Sequence, residues 1–193
     1  MPYPSFIFQA PVIKRHFIDA GAYTGDTVRL FLDKVPEADQ YEIHCFEPDL
    51  RIVFDPQLID RVHLYPSAVW VKDGTVDLFV GKPESSSVFG HKTTGHLSPT
   101  PITVPCIDFS RWLDQHIGVE EKVILKLDIE GAEYAVLNHL LKTGAIDAIS
   151  QLYVDWHWNK IGIDCHEHEA LVKKLLELGL VAKTMHHNIM EGY

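Results

Sequence analysis

The sequence has few basic residues and no long apolar run, and each shortage excludes a class of protein. Lys and Arg together number 17 against 27 Asp and Glu, so the formal net charge is −10. Nucleic-acid-binding modules need a basic footprint to neutralise phosphates, so we expect no nucleic-acid partner. The same acidic balance disfavours anionic membranes. No stretch approaches the roughly 18 apolar residues of a membrane-spanning helix, so we expect no membrane partner.

Cysteine is also scarce. The three cysteines, Cys45, Cys106 and Cys165, lie far apart with no Cys-x-x-Cys spacing, which argues against a disulfide framework. Cys45 and Cys106 sit in apolar, strand-like runs, which predicts buried thiols. Three prolines interrupt the first eleven residues, and no charged segment precedes an apolar one, so we predict no signal peptide. Together these features predict a cytoplasmic protein.

What the chain does have is an alternation of short apolar segments and amphipathic helices. Its 193 residues, 46% hydrophobic and 23% charged, suit one compact domain over residues 1–193. Strand followed by helix predicts an α/β, Rossmann-like fold, a mostly parallel twisted sheet with helices on both faces. The predicted strands span residues 16–20, 42–47, 61–65, 122–128, 150–156 and 180–187, and the main helices follow Gly25, Gly131 and Cys165.

The middle third of the chain differs from this pattern. Residues 69–71 and 75–80 flank Lys72-Asp73-Gly74, which predicts an antiparallel hairpin. Residues 81–101 are rich in Gly, Pro, Ser and Thr, which predicts a mobile loop over the sheet edge and the place where substrate specificity lies. A further short strand is predicted over residues 102–107.

A glycine loop follows the first strand, in the sequence FIDAGAYTGDT. Such a loop lets a ligand approach the backbone at the carboxyl end of a strand. A dinucleotide fingerprint beginning at Gly21 needs glycines where Tyr23 and Asp26 stand, and an aspartate repels phosphates. S-adenosylmethionine has no phosphate and carries a sulfonium and an ammonium group, which Asp19 suits. The pattern Asp19-x-Gly21-x-x-x-Gly25 therefore favours S-adenosylmethionine over a nicotinamide dinucleotide.

An acidic residue ends the second strand, in HCFEPD. Glu47 lies 22 residues beyond Gly25, where an acid can accept hydrogen bonds from both ribose hydroxyls. Taken alone, a glycine loop is usually a tight turn and a strand-end glutamate a solvated cap. Their combination, in this order and on these elements, predicts an adenosine site.

The fourth main strand ends in an acidic motif, LKLDIEGAEYAVL. Lys126 and Asp128 share one face of the strand because side chains alternate with period two. Glu130 and Glu133 share one face of the next helical turn. The helix dipole explains Glu133 adequately, but it does not explain why Asp128 ends the strand beside the expected cofactor.

These motifs resemble the FkbM family of methyltransferases. The resemblance spans residues 17–158 and includes PSAVW, KDGTVDLFVG, the serines at 85–87 and VPCIDFSRWL, with LKLDIEGAEYAVL the most specific part. It implies a class I methyltransferase fold, usually with seven strands, and O-methylation of hydroxyls on saccharides or polyketide-like small molecules. The few residues before the first strand and after the last indicate a sheet trimmed at both termini. An edge completed by a partner chain leaves homo-oligomerisation open.

The resemblance also implies roles for individual residues. Asp19 is expected to hold the methionine part, Glu47 the ribose, and Asp128 to lie near the transferred methyl group. The loop glycines are expected to line the cofactor, and the residues after the third strand to lie near adenine. The full predicted cofactor set is Asp19, Gly21, Tyr23, Thr24, Gly25, Thr27, Glu47, Pro48, Ser67, Ala68 and Asp128.

Methyl transfer to a hydroxyl requires positioning of two atoms and removal of a proton. Asp155 and His157 end the fifth main strand in YVDWHW and project to the same side. An imidazole with an ordinary pKa near 6.5 suits a general base, so His157 is the predicted base. Asp155 would orient it or bind substrate, and Asp128 completes the predicted catalytic set. A structural histidine between two tryptophans fits the same pattern equally well.

Two groups of residues resemble metal ligands. Asp128, Asp155 and His157 would offer two oxygens and one nitrogen to a divalent cation, which the sequence leaves open without favouring it. Residues 165–168, Cys-His-Glu-His, look metal-like, but neighbours on a helix face apart. We predict instead a solvated first helical turn with Asp164 as its N-cap.

Two other functions stay open at this level. One is an NAD-dependent oxidoreductase, against which Tyr23 and Asp26 argue. The other is a non-catalytic module that keeps the fold and the cofactor site, which the short ends of the chain would suit.

Overall fold

A six-stranded parallel sheet organises the computed structural model, which describes residues 13–82 and 85–183. The strands are β1 (Arg15–Ala20), β2 (Tyr41–Phe46), β3 (His63–Tyr65), β4 (Ala68–Trp70), β5 (Gly74–Leu78), β6 (Ile102–Asp108), β7 (Lys122–Leu127), β8 (Ile149–Val154) and β9 (Ala182–Lys183). The helices are α1 (Asp26–Lys34), α2 (Phe109–His116), α3 (Glu133–Thr143) and α4 (Cys165–Glu177). The main sheet has the order β3-β2-β1-β7-β8-β9, and every pairing within it is parallel.

Helices cover both faces of this sheet. Phe17 of β1 stacks on Phe31 of α1 with ring centroids 4.0 Å apart, in a buried cluster on one face. Ile18 and Leu125 belong to a second buried cluster, which includes Leu137 of α3 on the other face. Alternate residues of each strand therefore feed two cores, and burying each large apolar side chain contributes about 1.5–3 kcal/mol. The predicted α/β, Rossmann-like architecture is confirmed.

The predicted hairpin in the middle third is wrong. Strands β4 and β5 do not pair with each other; β6 lies between them in a separate sheet of order β4-β6-β5. Ala68 of β4 is the parallel partner of Cys106, and Gly74 of β5 is the antiparallel partner of the same residue. The turn at residues 71–73 crosses the end of β6, where Asp73 Oδ1 accepts a hydrogen bond of 3.0 Å from the backbone N–H of Asp108. A turn sequence predicts that the two flanking strands pair with each other, but here β6, which is distant in sequence, lies between them.

The burial of two cysteines and the cap of α4 agree with the sequence. Cys45 and Cys106 are buried, as predicted, and Cys165 is exposed. Asp164 caps α4, since its side chain accepts a hydrogen bond of 2.8 Å from the N–H of His166. The predicted strand over residues 180–187 is represented by β9, and its part after residue 183 lies outside the described residues. The two ends of the chain, where we predict a trimmed sheet, also lie outside the described residues.

None of the helices among residues 13–82 and 85–183 combines the length and the apolar character needed to cross a bilayer.

Candidate functional site

A cleft of about 300 Å³ opens at the carboxyl ends of β1, β2 and β7. The chain runs from β1 outward to β2 and β3 on one side and reaches β7 on the other, so the cleft lies at the switch in strand order. The predicted cofactor residues in its wall are Gly21, Tyr23, Thr27, Glu47, Pro48, Ala68 and Asp128. The predicted residues outside the wall are Asp19, Thr24, Gly25 and Ser67, together with Asp155 and His157.

Gly21 joins the ends of the three central strands. Its N–H and that of Ala22 both donate to the carbonyl of Phe46 at 3.0 Å. Gly21 has φ +81°, and a Cβ atom there would lie 1.9 Å from the backbone oxygen of Asp128. Only glycine therefore allows β1 and β7 to approach this closely at the floor of the cleft.

We expect Gly21→Ala to destabilise the fold by about 2–5 kcal/mol, the sum of a left-handed backbone cost and an overpacking cost. Gly144→Ala is the matched control, since Gly144 has φ +83° and open space where a Cβ atom would lie. The control should lose only about 1–2 kcal/mol in urea unfolding. Equal losses in the two variants would show that the close approach to Asp128 is unimportant.

The rest of the glycine loop shapes the cleft from behind. Gly25 is the N-cap of α1 with φ +97°, and it packs against the ring of Phe54. Thr24 donates its hydroxyl to Asp26 Oδ2 at 2.9 Å. Tyr23 lines the cleft in a left-handed conformation, φ 48°, which is uncommon outside glycine. The loop therefore presents Tyr23 and its backbone to the cleft and keeps Thr24 and Gly25 out of it.

Ser67 lies just outside the cleft beyond the third strand, where its N–H donates to the carbonyl of Tyr65 at 2.8 Å. Its neighbour Ala68 lines the cleft. Of the predicted adenine pair, the structure thus brings only Ala68 to the wall.

Glu47 is held in the cleft by two backbone groups. The N–H of Tyr23 donates to Oε2 at 3.0 Å, and the N–H of Asp49 donates to Oε1 at 2.8 Å. Burial raises the pKa of Glu47, although these two hydrogen bonds act in the opposite direction. Each carboxylate oxygen retains an accepting lone pair, so a pair of ligand hydroxyls can still bind.

Asp19 lies beneath the cleft wall rather than in it. Its side chain is fully buried, and Oδ1 lies 2.8 Å from Nζ of Lys126. Lys126 also donates to the carbonyl of Gly21 at 2.7 Å and lies 3.8 Å from Oδ2 of Asp128. Burial lowers the pKa of Lys126, but the attraction of Asp19 and Asp128 outweighs it and raises that pKa overall. Asp19 is therefore paired with a wall residue, Lys126, and does not itself line the cleft.

Asp128 is the predicted catalytic residue that the structure places in the cleft. Its N–H donates to the carbonyl of Ala20 at 3.1 Å, which fixes it at the end of β7. Its side chain remains 36% exposed. Burial raises the pKa of Asp128 to about 6, with Lys126 acting against this and Asp155 adding to it. A carboxylate with this pKa can accept a proton near neutral pH.

A buried ionic network supports the loop that follows Asp128. The carboxylate of Glu133, fully buried, accepts hydrogen bonds from the N–H groups of Ile129 at 2.9 Å and Gly131 at 3.0 Å. His157 lies between two carboxylates, with Nδ1 3.1 Å from Glu133 Oε1 and Nε2 3.1 Å from Glu130 Oε2. The helix-dipole interpretation of Glu133 missed this contact, because a charged residue at a helix start gives no sign of burial.

This network disfavours the general-base role for His157. Burial lowers the pKa of His157, but hydrogen bonds from the ring to Glu130 and Glu133 outweigh it and raise the pKa to about 10. The ring is 1% exposed and does not line the cleft. An imidazolium with both nitrogens engaged cannot accept a proton from a substrate. Asp155 belongs to the same network, with Oδ2 3.9 Å from Nε2 of His157.

The polar segment over residues 81–101 is anchored rather than loose in its described part. The hydroxyl of Ser87 donates to the carbonyl of Glu130 at 2.7 Å. The backbone of Ser87 forms an isolated antiparallel β-bridge with Phe79. Lys92 is buried, forms an ion pair with Glu130 and donates to the carbonyl of Ser85 at 2.9 Å. The polar composition of the segment gives no sign that this lysine is buried. The segment closes one side of the cleft with Gly81, Ser86 and Val88.

Further acidic residues in the wall were not among the predicted cofactor residues. Asp26 and Asp49 line the cleft, and Asp49 is paired with Arg51. Asp128, Glu130 and His157 also form a group with possible metal-binding atoms within 4.8 Å of one another. This group shares Asp128 and His157 with the predicted trio and has Glu130 in place of Asp155. In the structure, both nitrogens of His157 already contact carboxylates.

The open parallel sheet, the glycine loop at its switch point and the strand-end carboxylates define a Rossmann-like fold of the methyltransferase class. A family model described as the Methyltransferase FkbM domain matches residues 19–181. The chain therefore belongs to the FkbM methyltransferase family, which confirms the resemblance seen in the motifs. Comparisons with curated proteins and with solved structures gave no match.

Proposed function

We propose that this methyltransferase uses S-adenosylmethionine to methylate a hydroxyl group of a small molecule, a saccharide or a natural product. The observation that carries the proposal is the pair of carboxylates facing one cleft, Glu47 held by two backbone amides and Asp128 at the end of β7. Glu47 suits the ribose hydroxyls, and Asp128 suits the reacting end. Both lie at the switch point of the sheet, where ligands bind in open α/β folds.

The charge of the cleft supports this cofactor over a dinucleotide. The wall contains five carboxylates, those of Asp26, Glu47, Asp49, Asp128 and Glu130. Its cations, Arg51 and Lys126, are each paired with an aspartate. Asp26 occupies the first turn of α1, where a pyrophosphate would need free N–H groups and a positive field. An acidic wall suits the sulfonium and ammonium groups of S-adenosylmethionine.

The proposed chemistry assigns proton removal to Asp128. S-adenosylmethionine supplies an electrophilic methyl group when bound. Asp128 would accept the proton that the substrate hydroxyl loses when its oxygen takes up this methyl group. Its raised pKa, about 6, leaves it deprotonated and ready at neutral pH.

We assign His157 and Asp155 to positioning rather than proton transfer. His157 holds Glu130 and Glu133, and Glu133 holds the N–H groups of the loop after Asp128. The network thereby fixes where the Asp128 carboxylate lies relative to the glycine loop. A rigid support of this kind is what an oriented displacement requires.

Incubation with methyl-labelled S-adenosylmethionine and a panel of hydroxylated glycans and natural products tests the activity. We expect label in at least one hydroxylated compound and release of S-adenosylhomocysteine. Cofactor binding without turnover on any hydroxyl substrate would favour the non-catalytic module instead. The acidic composition supports a small-molecule acceptor rather than a nucleic acid. The scarcity of cysteine suits the cytoplasmic location that we also propose.

We expect Glu47→Ala to raise the Kd for S-adenosylhomocysteine about 10–100-fold. The loss of hydrogen bonds to a charged group costs about 1.5–3 kcal/mol, and each 1.4 kcal/mol is tenfold in Kd. Isothermal titration calorimetry measures the change. Glu120→Ala, which removes an exposed glutamate outside the cleft, is the control and should bind like the unaltered protein. An unchanged Kd in Glu47→Ala would remove Glu47 from the site.

A further inference from the structure

A histidine cluster lies between the sheet and α2, and its histidines are not part of the cleft wall. His16 of β1 is 1% exposed and His44 of β2 is 4% exposed, and their rings stack with centroids 5.4 Å apart. His16 is the register partner of Glu42, two residues before His44, so the three side chains share one face of the sheet. Trp112 of α2 packs edge-on against His44.

The spacing of the polar atoms matches a metal coordination sphere. His16 Nδ1 lies 3.2 Å from His44 Nε2 and 3.8 Å from Glu42 Oε2. One possible ligand atom from each of the three side chains lies within 4.8 Å of the other two. Zinc–ligand bonds of about 2.0–2.2 Å in a tetrahedron place ligand atoms roughly 3.3–3.6 Å apart. A small adjustment of the Glu42 side chain is therefore enough to complete three ligands.

The outer nitrogen of each ring has its own partner. His16 Nε2 lies 2.9 Å from Glu121 Oε2, and His44 Nδ1 lies 3.2 Å from the hydroxyl oxygen of Tyr65. Metal-binding histidines commonly donate their second N–H to a carboxylate or another acceptor, which fixes the tautomer. When both rings donate outward in this way, two lone pairs face each other at 3.2 Å, and a cation between them removes the repulsion.

We propose that His16, His44 and Glu42 form a binding site for a divalent transition-metal ion of the Zn²⁺ type, separate from the methyl-transfer cleft. Two imidazoles and a carboxylate are ligands that suit zinc. The Glu42 side chain is 43% exposed, which gives an ion access from solvent. Its other oxygen, Oε1, lies 3.1 Å from Nζ of Lys14, so Oε2 is the one turned toward the histidines.

A metal-free arrangement competes with this site. The Tyr65 hydroxyl would donate to His44 Nδ1, His44 Nε2–H to His16 Nδ1, and His16 Nε2–H to Glu121, which satisfies every group through one chain of hydrogen bonds. The two arrangements differ in the tautomer of His44. Only the tautomer in which Nδ1–H donates to Tyr65 leaves His44 Nε2 free to bind zinc.

Calorimetric titration of the chelator-treated intact chain with zinc chloride tests the proposal. The background carries Cys165→Ser and His166→Asn, which remove the exposed Asp164–Cys165–His166 group. We expect one equivalent bound, with affinity at least tenfold weaker in His44→Gln and 10–100-fold weaker in Glu121→Gln, which alters only the outer shell. His63→Gln is the matched control, because exposed His63 stacks on His44 with ring centroids 5.1 Å apart and lies outside the proposed ligand set.

Two results would overturn the site. One is no zinc binding by background protein whose circular dichroism shows it folded, which leaves the hydrogen-bonded chain as the arrangement. The other is unchanged zinc affinity in the His16→Gln/His44→Gln double variant. Should a buried histidine variant fail to fold, the partly exposed Glu42→Gln serves instead, and unchanged affinity there excludes Glu42 as a ligand. None of these results bears on the methyl-transfer proposal.

Discussion

Asp128→Asn should lower kcat for methyl transfer about 10²–10⁴-fold, the usual contribution of a general base. The amide keeps the size of the side chain at the end of β7 but cannot accept the hydroxyl proton. The Kd for S-adenosylhomocysteine should rise less than it does in Glu47→Ala, because Glu47 rather than Asp128 is the proposed ribose partner. Steady-state kinetics alongside calorimetry separate the two effects. Asp147→Asn, at an exposed position outside the cleft, is the matched control.

The pH dependence of the rate gives this prediction a second readout. The pKa of Asp128 is raised to about 6, and only its deprotonated form accepts a proton. Activity should therefore rise with pH through about 6 and level off above it, and Asp128→Asn should lose this rise. A rise that survives in Asp128→Asn but disappears in His157→Gln would return the base role to His157.

Lys126→Met should have the largest effect on stability, a loss of about 3–5 kcal/mol. The fully buried Asp19 has its cationic partner 2.8 Å away in Lys126, and removing that partner leaves a charge buried without compensation. The midpoint of urea unfolding measures the loss. We also expect the substitution to distort the floor of the cleft, since Lys126 donates a hydrogen bond to the carbonyl of Gly21.

A double-mutant cycle separates the ion pair from simple packing. Asp19→Asn/Lys126→Met removes both charges, so it should recover most of the stability that Lys126→Met loses. Stability losses that add in the double variant would show that Asp19 and Lys126 do not depend on each other. That result would contradict the placement of Asp19 as a buried counter-ion.

The sheet and its helices were predictable because their signals are local. Parallel strands buried on both faces appear as apolar runs, and α4 begins at the N-cap that Asp164 predicts. The hairpin prediction failed because the true partner of β4 and β5 lies far along the chain at β6. Pairing over such a separation leaves no local trace in the turn at residues 71–73.

The site was predictable where a strand end decides the position of a residue. Gly21, Glu47 and Asp128 follow β1, β2 and β7 and reach the cleft as expected. The sequence could not predict the direction in which a side chain points near a strand end. In the structure, Asp19 lies under the cleft wall and His157 lies behind it. Burial of charged groups is a tertiary property, so neither Glu133 nor Lys92 could be recognised as buried from the sequence.

Calorimetry of the intact chain with S-adenosylhomocysteine tests directly whether the cleft is a site for S-adenosylmethionine. We expect one equivalent of S-adenosylhomocysteine to bind, with competition from S-adenosylmethionine and no effect of NADH. A folded sample that shows no binding of S-adenosylhomocysteine, or that binds NADH in its place, would contradict the assignment of the cleft.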